Sequence, residues 1–236
     1  MLKKLIKKII LKEKCSSEEY IKYLKRIGCR IGEGTTIFAS PKNVLIDETR
    51  PFLIDIGNNV QITHNVTILT HGYDWSVLKG VYGDILGSAG KVTIGNNVFI
   101  GMNSTILKGT TIGNNVIIGA NSLVRGNIPD NCVIAGNPAK VICTVEEYYK
   151  KRKAAQIQEA QELVKEYYNT YRKIPDESIL DEFFFLFADR SQDLPEYYKK
   201  KMDLVGNYDI SMSIFLSQNP PFKSYNEFIN TCELDS

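Results

Sequence analysis

A period of six constrains this chain more than any other feature. Ile94, Ile100, Ile106, Ile112, Ile118 and Val124 stand six residues apart, Ile56, Ile62 and Ile68 keep the same spacing upstream, and Ile31 and Ile37 open a weaker run. Four residues after these positions comes a small or β-branched residue: Thr35, Val60, Val66, Val98, Ser104, Thr110, Val116 and Ser122. Glycine often follows the isoleucine directly, and Asn-Asn pairs recur at 58–59, 96–97 and 114–115. An α-helix repeats its apolar positions at three and four. An alternating strand repeats at two, with no glycine or asparagine every sixth residue. A short flat face closed by a two-residue corner accounts for the pattern. The aliphatic side chain points inward and stacks on the next coil, and glycine or asparagine takes the tight corner backbone. Each coil then satisfies its backbone groups against the coils above and below, as in a parallel β-helix.

The chain is long enough for one good-sized domain or a domain with an appendage. A net charge of +2 gives no argument for a nucleic-acid partner. The five cysteines are scattered without a Cys-x-x-Cys pair, which favours reduced thiols in the cytosol over disulfides or a zinc site. Lysines interrupt every apolar run in residues 1–14, so they do not read as a signal peptide, and they are too short to span a bilayer. Leu2, Leu5, Ile6, Ile9 and Ile10 share a helical face, which predicts a helix packed on the protein body or lying on an anionic membrane as a peripheral contact.

The stretches IGNNVFIGMNSTILKGTTIGNNVIIGANSLV and VIAGNPAKVI resemble the hexapeptide-repeat acyltransferases, a family that includes sugar and serine acetyltransferases. The resemblance covers roughly residues 31–142. It implies a left-handed parallel β-helix, a homotrimer with active sites at subunit interfaces, and acetyl-CoA as acyl donor with no metal. The expected organisation is an N-terminal helical segment over 1–28, the β-helix over 29–143 with a loop at 71–91, and an α-helical extension over 144–236.

The register breaks between Ile68 and Ile94, where a gap of 26 residues holds the only tryptophan and five glycines. A loop ejected from a rigid coil is where function is normally carried. His71 stands at its mouth, in the Thr70-His71 pair that resembles the family's pattern. An imidazole, with an ordinary pKa of about 6.5, can take a proton from an acceptor hydroxyl at neutral pH. His64 lies inside a regular hexad at a non-inward position and reads as a surface residue. Asp74 is a candidate to orient His71 or hold the acceptor, and Asn43 to hydrogen-bond it. Tyr73 and Trp75 are candidates for a sugar-stacking wall.

For the donor, the resemblance places Gly101, Ser104, Gly119 and Ala120 along the pantetheine arm and Lys140 near the adenosine end. Family members often carry Thr-Lys-Asp before an Ile-Pro pair. Here Arg125-Gly126-Asn127 precede Ile128-Pro129, so Arg125 stands in as the phosphate-gripping cation.

Composition shifts after Pro138: 16 of 17 glycines precede it, while nine of 13 tyrosines and seven of ten phenylalanines lie after Cys143. Ala160, Leu163, Val164, Tyr167, Tyr168 and Tyr171 mark one helical face, and Pro175-Asp176-Glu177 starts a second helix carrying Leu180, Phe183, Phe184 and Phe187. Among functions, γ-class carbonic anhydrases share the coil but need three histidines on zinc, and this chain has two. A noncatalytic scaffold needs neither the loop nor His71. The expectation is therefore O-acetylation of a sugar or surface-glycan precursor in the cytoplasm, with amino-sugar N-acylation as the second choice.

Overall fold

A computed structural model describes residues 12–234, so the apolar face at residues 2–10 lies outside it. The chain forms two compact units, Met1–Tyr148 and Tyr149–Ser236.

In the first unit, helix α1 (Ser17–Ile27) starts where the Ser16 hydroxyl accepts from the Glu19 N–H and stops at Gly28, whose φ is +120°. Its buried face is Tyr20 and Leu24. Then the coils begin. The first is β1 (Arg30–Ile31), β2 (Thr36–Ile37) and β3 (Leu45–Ile46); the second is β4 (Ile54–Ile56), β5 (Gln61–Ile62) and β6 (Thr67–Ile68). The ejected loop carries β7 (His71–Gly72), helix α2 (Trp75–Tyr82) and β8 (Ser88–Ala89), with β7 and β8 antiparallel. The third coil is β9 (Val92–Ile94), β10 (Val98–Ile100) and β11 (Thr105–Ile106); the fourth is β12 (Thr111–Ile112), β13 (Val116–Ile118) and β14 (Leu123–Val124). A shortened last turn has β15 (Asn127–Ile128) and β16 (Cys132–Gly136), and β17 (Ala139–Thr144) folds back antiparallel on β16.

Three parallel sheets result, in the orders β1-β4-β9-β12-β15, β2-β5-β10-β13-β16 and β3-β6-β11-β14. Register turns the period of six into three columns of stacked side chains. Ile31, Ile56, Ile94, Ile112 and Ile128 form the first; Ile37, Ile62, Ile100, Ile118 and Ile134 the second; Ile46, Ile68, Ile106 and Val124 the third. All but Ile128 are buried, and each such side chain contributes about 1.5–3 kcal/mol on leaving water. The corners explain the asparagines. Asn59, Asn97, Asn115 and Asn131 all hold positive φ, and the Asn97 amide donates to Asn115 and the Asn115 amide to Asn131, at 2.9 and 2.8 Å. Gly95 is required by close approach: a Cβ there would stand 2.5 Å from the Gly113 carbonyl oxygen.

The second unit has its own core. Helix α3 (Val145–Tyr171) runs into it and buries Ala160 and Val164, while Tyr171 is exposed. Helices α4 (Glu196–Asp203), α5 (Tyr208–Ser217) and α6 (Tyr225–Ile229) follow. The helix expected from Pro175 onward is instead two 3₁₀ turns, Glu177–Leu180 and Phe184–Leu186. Phe184, Leu186, Phe187 and Ala188 are all buried. Nearly consecutive apolar residues would be splayed around an α-helix, whereas tight turns let them enter the core together. Among the described residues, no helix is long and apolar enough to cross a membrane.

Candidate active site

His71 sits where the coil ends and the loop begins. Ile46 and Ile68 are register partners on the third face, so the corners that follow them stack. Asp47 occupies the first of these corners, and Thr70 and His71 leave from the second. The Asp47 backbone N–H donates to Ile68 at 3.1 Å, which fixes the carboxylate beneath the histidine. His71 Nδ1 lies 2.6 Å from Asp47 Oδ2. The Thr70 hydroxyl and backbone N–H donate to the same oxygen, and the Thr49 N–H and hydroxyl donate to the other at 3.0 and 2.6 Å. Burial pushes the Asp47 carboxyl up, but hydrogen bonds from Thr49, Thr70 and His71 outweigh it and hold it well below the usual carboxylate range. An ionised carboxylate only accepts. His71 Nδ1 therefore carries the proton, and Nε2 of the neutral ring presents its lone pair. The next residue, Glu48, accepts from Tyr20 and Tyr23 at 2.7 and 3.2 Å and pairs with Lys14 at 2.9 Å, tying this corner to α1.

Tyr73 meets the His71 ring edge-on at 5.1 Å, and Trp75 lies 6.2 Å from Tyr73. The loop candidates are thus strung together beside the imidazole. Asp74 is not its partner: it is exposed at the start of α2, its carbonyl accepts from the Val77 N–H at 3.2 Å, and its side chain caps nothing there. Asn43 places its amide 3.5 Å from His64 Nδ1 rather than at His71. It lines a cleft of about 650 Å³ together with Lys42, Asp47 and Thr67.

The donor candidates gather at a different edge. The register Ile100–Ile118–Ile134 sets Gly101, Gly119 and Ala135 side by side on the corner after the second face, and Lys140 pairs with Ala135. Ala120 is exposed next to this row. The glycine amides are spent on the coil, Gly101 to Ile118 at 2.9 Å and Gly119 to Ile134 at 2.8 Å. Ser104 is fully buried and donates inward to the Gly119 carbonyl at 3.1 Å. Gly101 itself is buried, and a Cβ there would stand 2.6 Å from the Ala120 backbone nitrogen, so the surface left to a ligand is Gly119, Ala120 and Ala135, with the exposed Lys140 at its end. Arg125 is exposed on the other edge, following Val124 in the column above Ile46 and Ile68. Three strand spacings, about 14 Å, separate it from the Asp47 level.

The role of Asp47 escaped sequence reasoning. The signal was present: it follows an inward isoleucine, at a corner where glycine is usual, one coil from Thr70-His71.

Comparison with known proteins agrees with this architecture. The model of the bacterial transferase hexapeptide (six repeats) family matches residues 91–126. Protein CapG of Staphylococcus aureus is 43% identical over 148 residues, 62% of this chain and 83% of CapG. Galactoside O-acetyltransferase of Escherichia coli (strain K12) is 36% identical over 128 residues, 52% of this chain and 61% of that protein. A solved galactoside acetyltransferase in complex with coenzyme A aligns at 29% identity with a TM-score of 0.43, covering 56% of this chain and 73% of that one. The chain belongs to the bacterial hexapeptide-repeat transferase family. As an enzyme it is an acyltransferase.

Proposed function

We propose that the enzyme transfers an acetyl group from acetyl-CoA to a hydroxyl of a sugar or surface-glycan precursor, with His71 as general base. The hydrogen bond from His71 Nδ1 to buried Asp47 carries this reading, because it fixes the tautomer that base catalysis needs. Nε2 takes the proton of the acceptor hydroxyl as its oxygen attacks the thioester carbonyl. The C–S bond breaks, and the imidazolium returns the proton to the departing thiolate. Asp47 stabilises the imidazolium in between. Acetyl-CoA supplies the activated acyl group. The edge at Gly119, Ala120 and Ala135 takes its thin arm, and Lys140 and Arg125 are the cations for its phosphates.

The base and the donor row lie on different edges of one prism. A homotrimer of left-handed prisms, in which one subunit's His71 edge faces a neighbour's Gly101 edge, unites them. The sugar acceptor is supported by the E. coli relative, a galactoside O-acetyltransferase by name.

His71→Ala tests the assignment. Acetyl transfer to a panel of sugars and nucleotide sugars should fall at least about a hundredfold, with acetyl-CoA binding by calorimetry unchanged and the far-ultraviolet circular dichroism retained. Full activity in this variant would reject His71 as the base.

A further inference from the structure

The unit Tyr149–Ser236 contains a cleft of about 780 Å³ that acyl transfer at His71 does not use. Arg190 anchors its wall. Its Nε donates to the Gln218 carbonyl at 2.8 Å, Nη1 to Ala188 at 2.7 Å and Nη2 to Phe185 at 2.7 Å, and its guanidinium lies 4.3 Å over the Phe215 ring. These contacts fix the fork and use three of its five N–H groups. Among the described residues no carboxylate forms an ion pair with it. The only acid on the wall, Glu182, is held by Lys201 at 2.8 Å. Two more cations line the cleft, Arg152, which grips Glu159, and exposed Lys153, which sits 5.8 Å from the Tyr149 ring. Gln218 and Asn219 also line it.

A fixed cation with spare donors takes a carboxylate or phosphate. Rings such as Tyr149 and Phe185 take the apolar face of a sugar, and amides take its hydroxyls. We propose that this cleft binds an anionic carbohydrate. The anionic demand comes from Arg190 and its neighbours; the choice of a carbohydrate rests on the sugar-acceptor reading.

Calorimetry on the full chain tests this with three probes: a hexuronate tetrasaccharide, a neutral tetrasaccharide of the same linkage, and a uridine-diphosphate hexose. At least one anionic probe binds, and the neutral one binds at least about tenfold more weakly, as loss of one charge-assisted hydrogen bond implies. Which anionic probe binds tells whether the charge belongs to the glycan or to a nucleotide carrier. Lys153→Glu, at an exposed position, weakens that binding at least about tenfold, while His71→Ala leaves it unchanged. Equal binding of the neutral probe, no binding of either anionic probe at millimolar concentration, or full affinity in Lys153→Glu would overturn the proposal. Anion binding that persists while no sugar is acetylated would sink the sugar-acceptor reading and leave the cleft standing as an anion site.

Discussion

Asp47 accepts from five donors on Thr49, Thr70 and His71 while only 5% exposed. Two predictions follow from that arrangement. In Asp47→Asn the new amide can donate to Nδ1 and favour the tautomer with its proton on Nε2, so the acetyl-transfer rate falls by roughly 10²–10⁴. Unchanged turnover would mean that the carboxylate does not orient the base. The second concerns acid stability. A carboxyl whose folded pKa is depressed contributes stability that is fully present above its unfolded pKa, about 3.9, and is lost as pH falls toward the folded value. Between about pH 5 and pH 3, the urea midpoint of the wild type should therefore fall more steeply than that of Asp47→Asn. Parallel curves would place the acid sensitivity elsewhere.

At the scale of the coil, asparagine and glycine do different work. Asn115 holds φ at +55° and links Asn97 to Asn131 through its amide. Asn115→Ala loses the ladder and keeps a Cβ in left-handed backbone without the polar side chain that lets asparagine tolerate it, so it should cost about 2 kcal/mol by urea denaturation. Asn115→Gly loses only the ladder and should cost about 1 kcal/mol or less. Equal losses would show that the corner conformation carries no penalty. The isoleucine and asparagine periods were legible in the sequence because every coil meets the same two neighbours, so each position repeats its environment. Elements without such repetition were not. The contact between Asp47 and His71 spans 24 residues and a change of coil, and no local pattern encodes it. Helix α2 hid inside a segment rich in glycine. The 3₁₀ turns at 177–186 replaced an α-helix because Phe184, Leu186 and Phe187 enter one core together, a tertiary demand that helical periodicity does not contain.

For the molecule as a whole, the ejected loop raises the question of what it covers. Tyr73, Val77, Val81, Tyr82, Ile85 and Leu86 are each 55–76% exposed in the single chain. So dense a run of exposed apolar side chains is uncommon on a monomer and marks an interaction surface. Val77 and Val81 stand four apart on α2 and so share a face. If the loop seals the groove between neighbouring prisms, charging that face breaks the assembly without unfolding the coil, whose three isoleucine columns lie elsewhere. Val77→Glu combined with Val81→Glu should turn the proposed trimer into monomer in light scattering, with the far-ultraviolet circular dichroism unchanged. Because base and donor row then no longer meet, acetyl transfer should be lost with it, while His71→Ala should remain trimeric. A double variant that stays trimeric and active would remove the loop from the interface, and with it the argument that two subunits build each site.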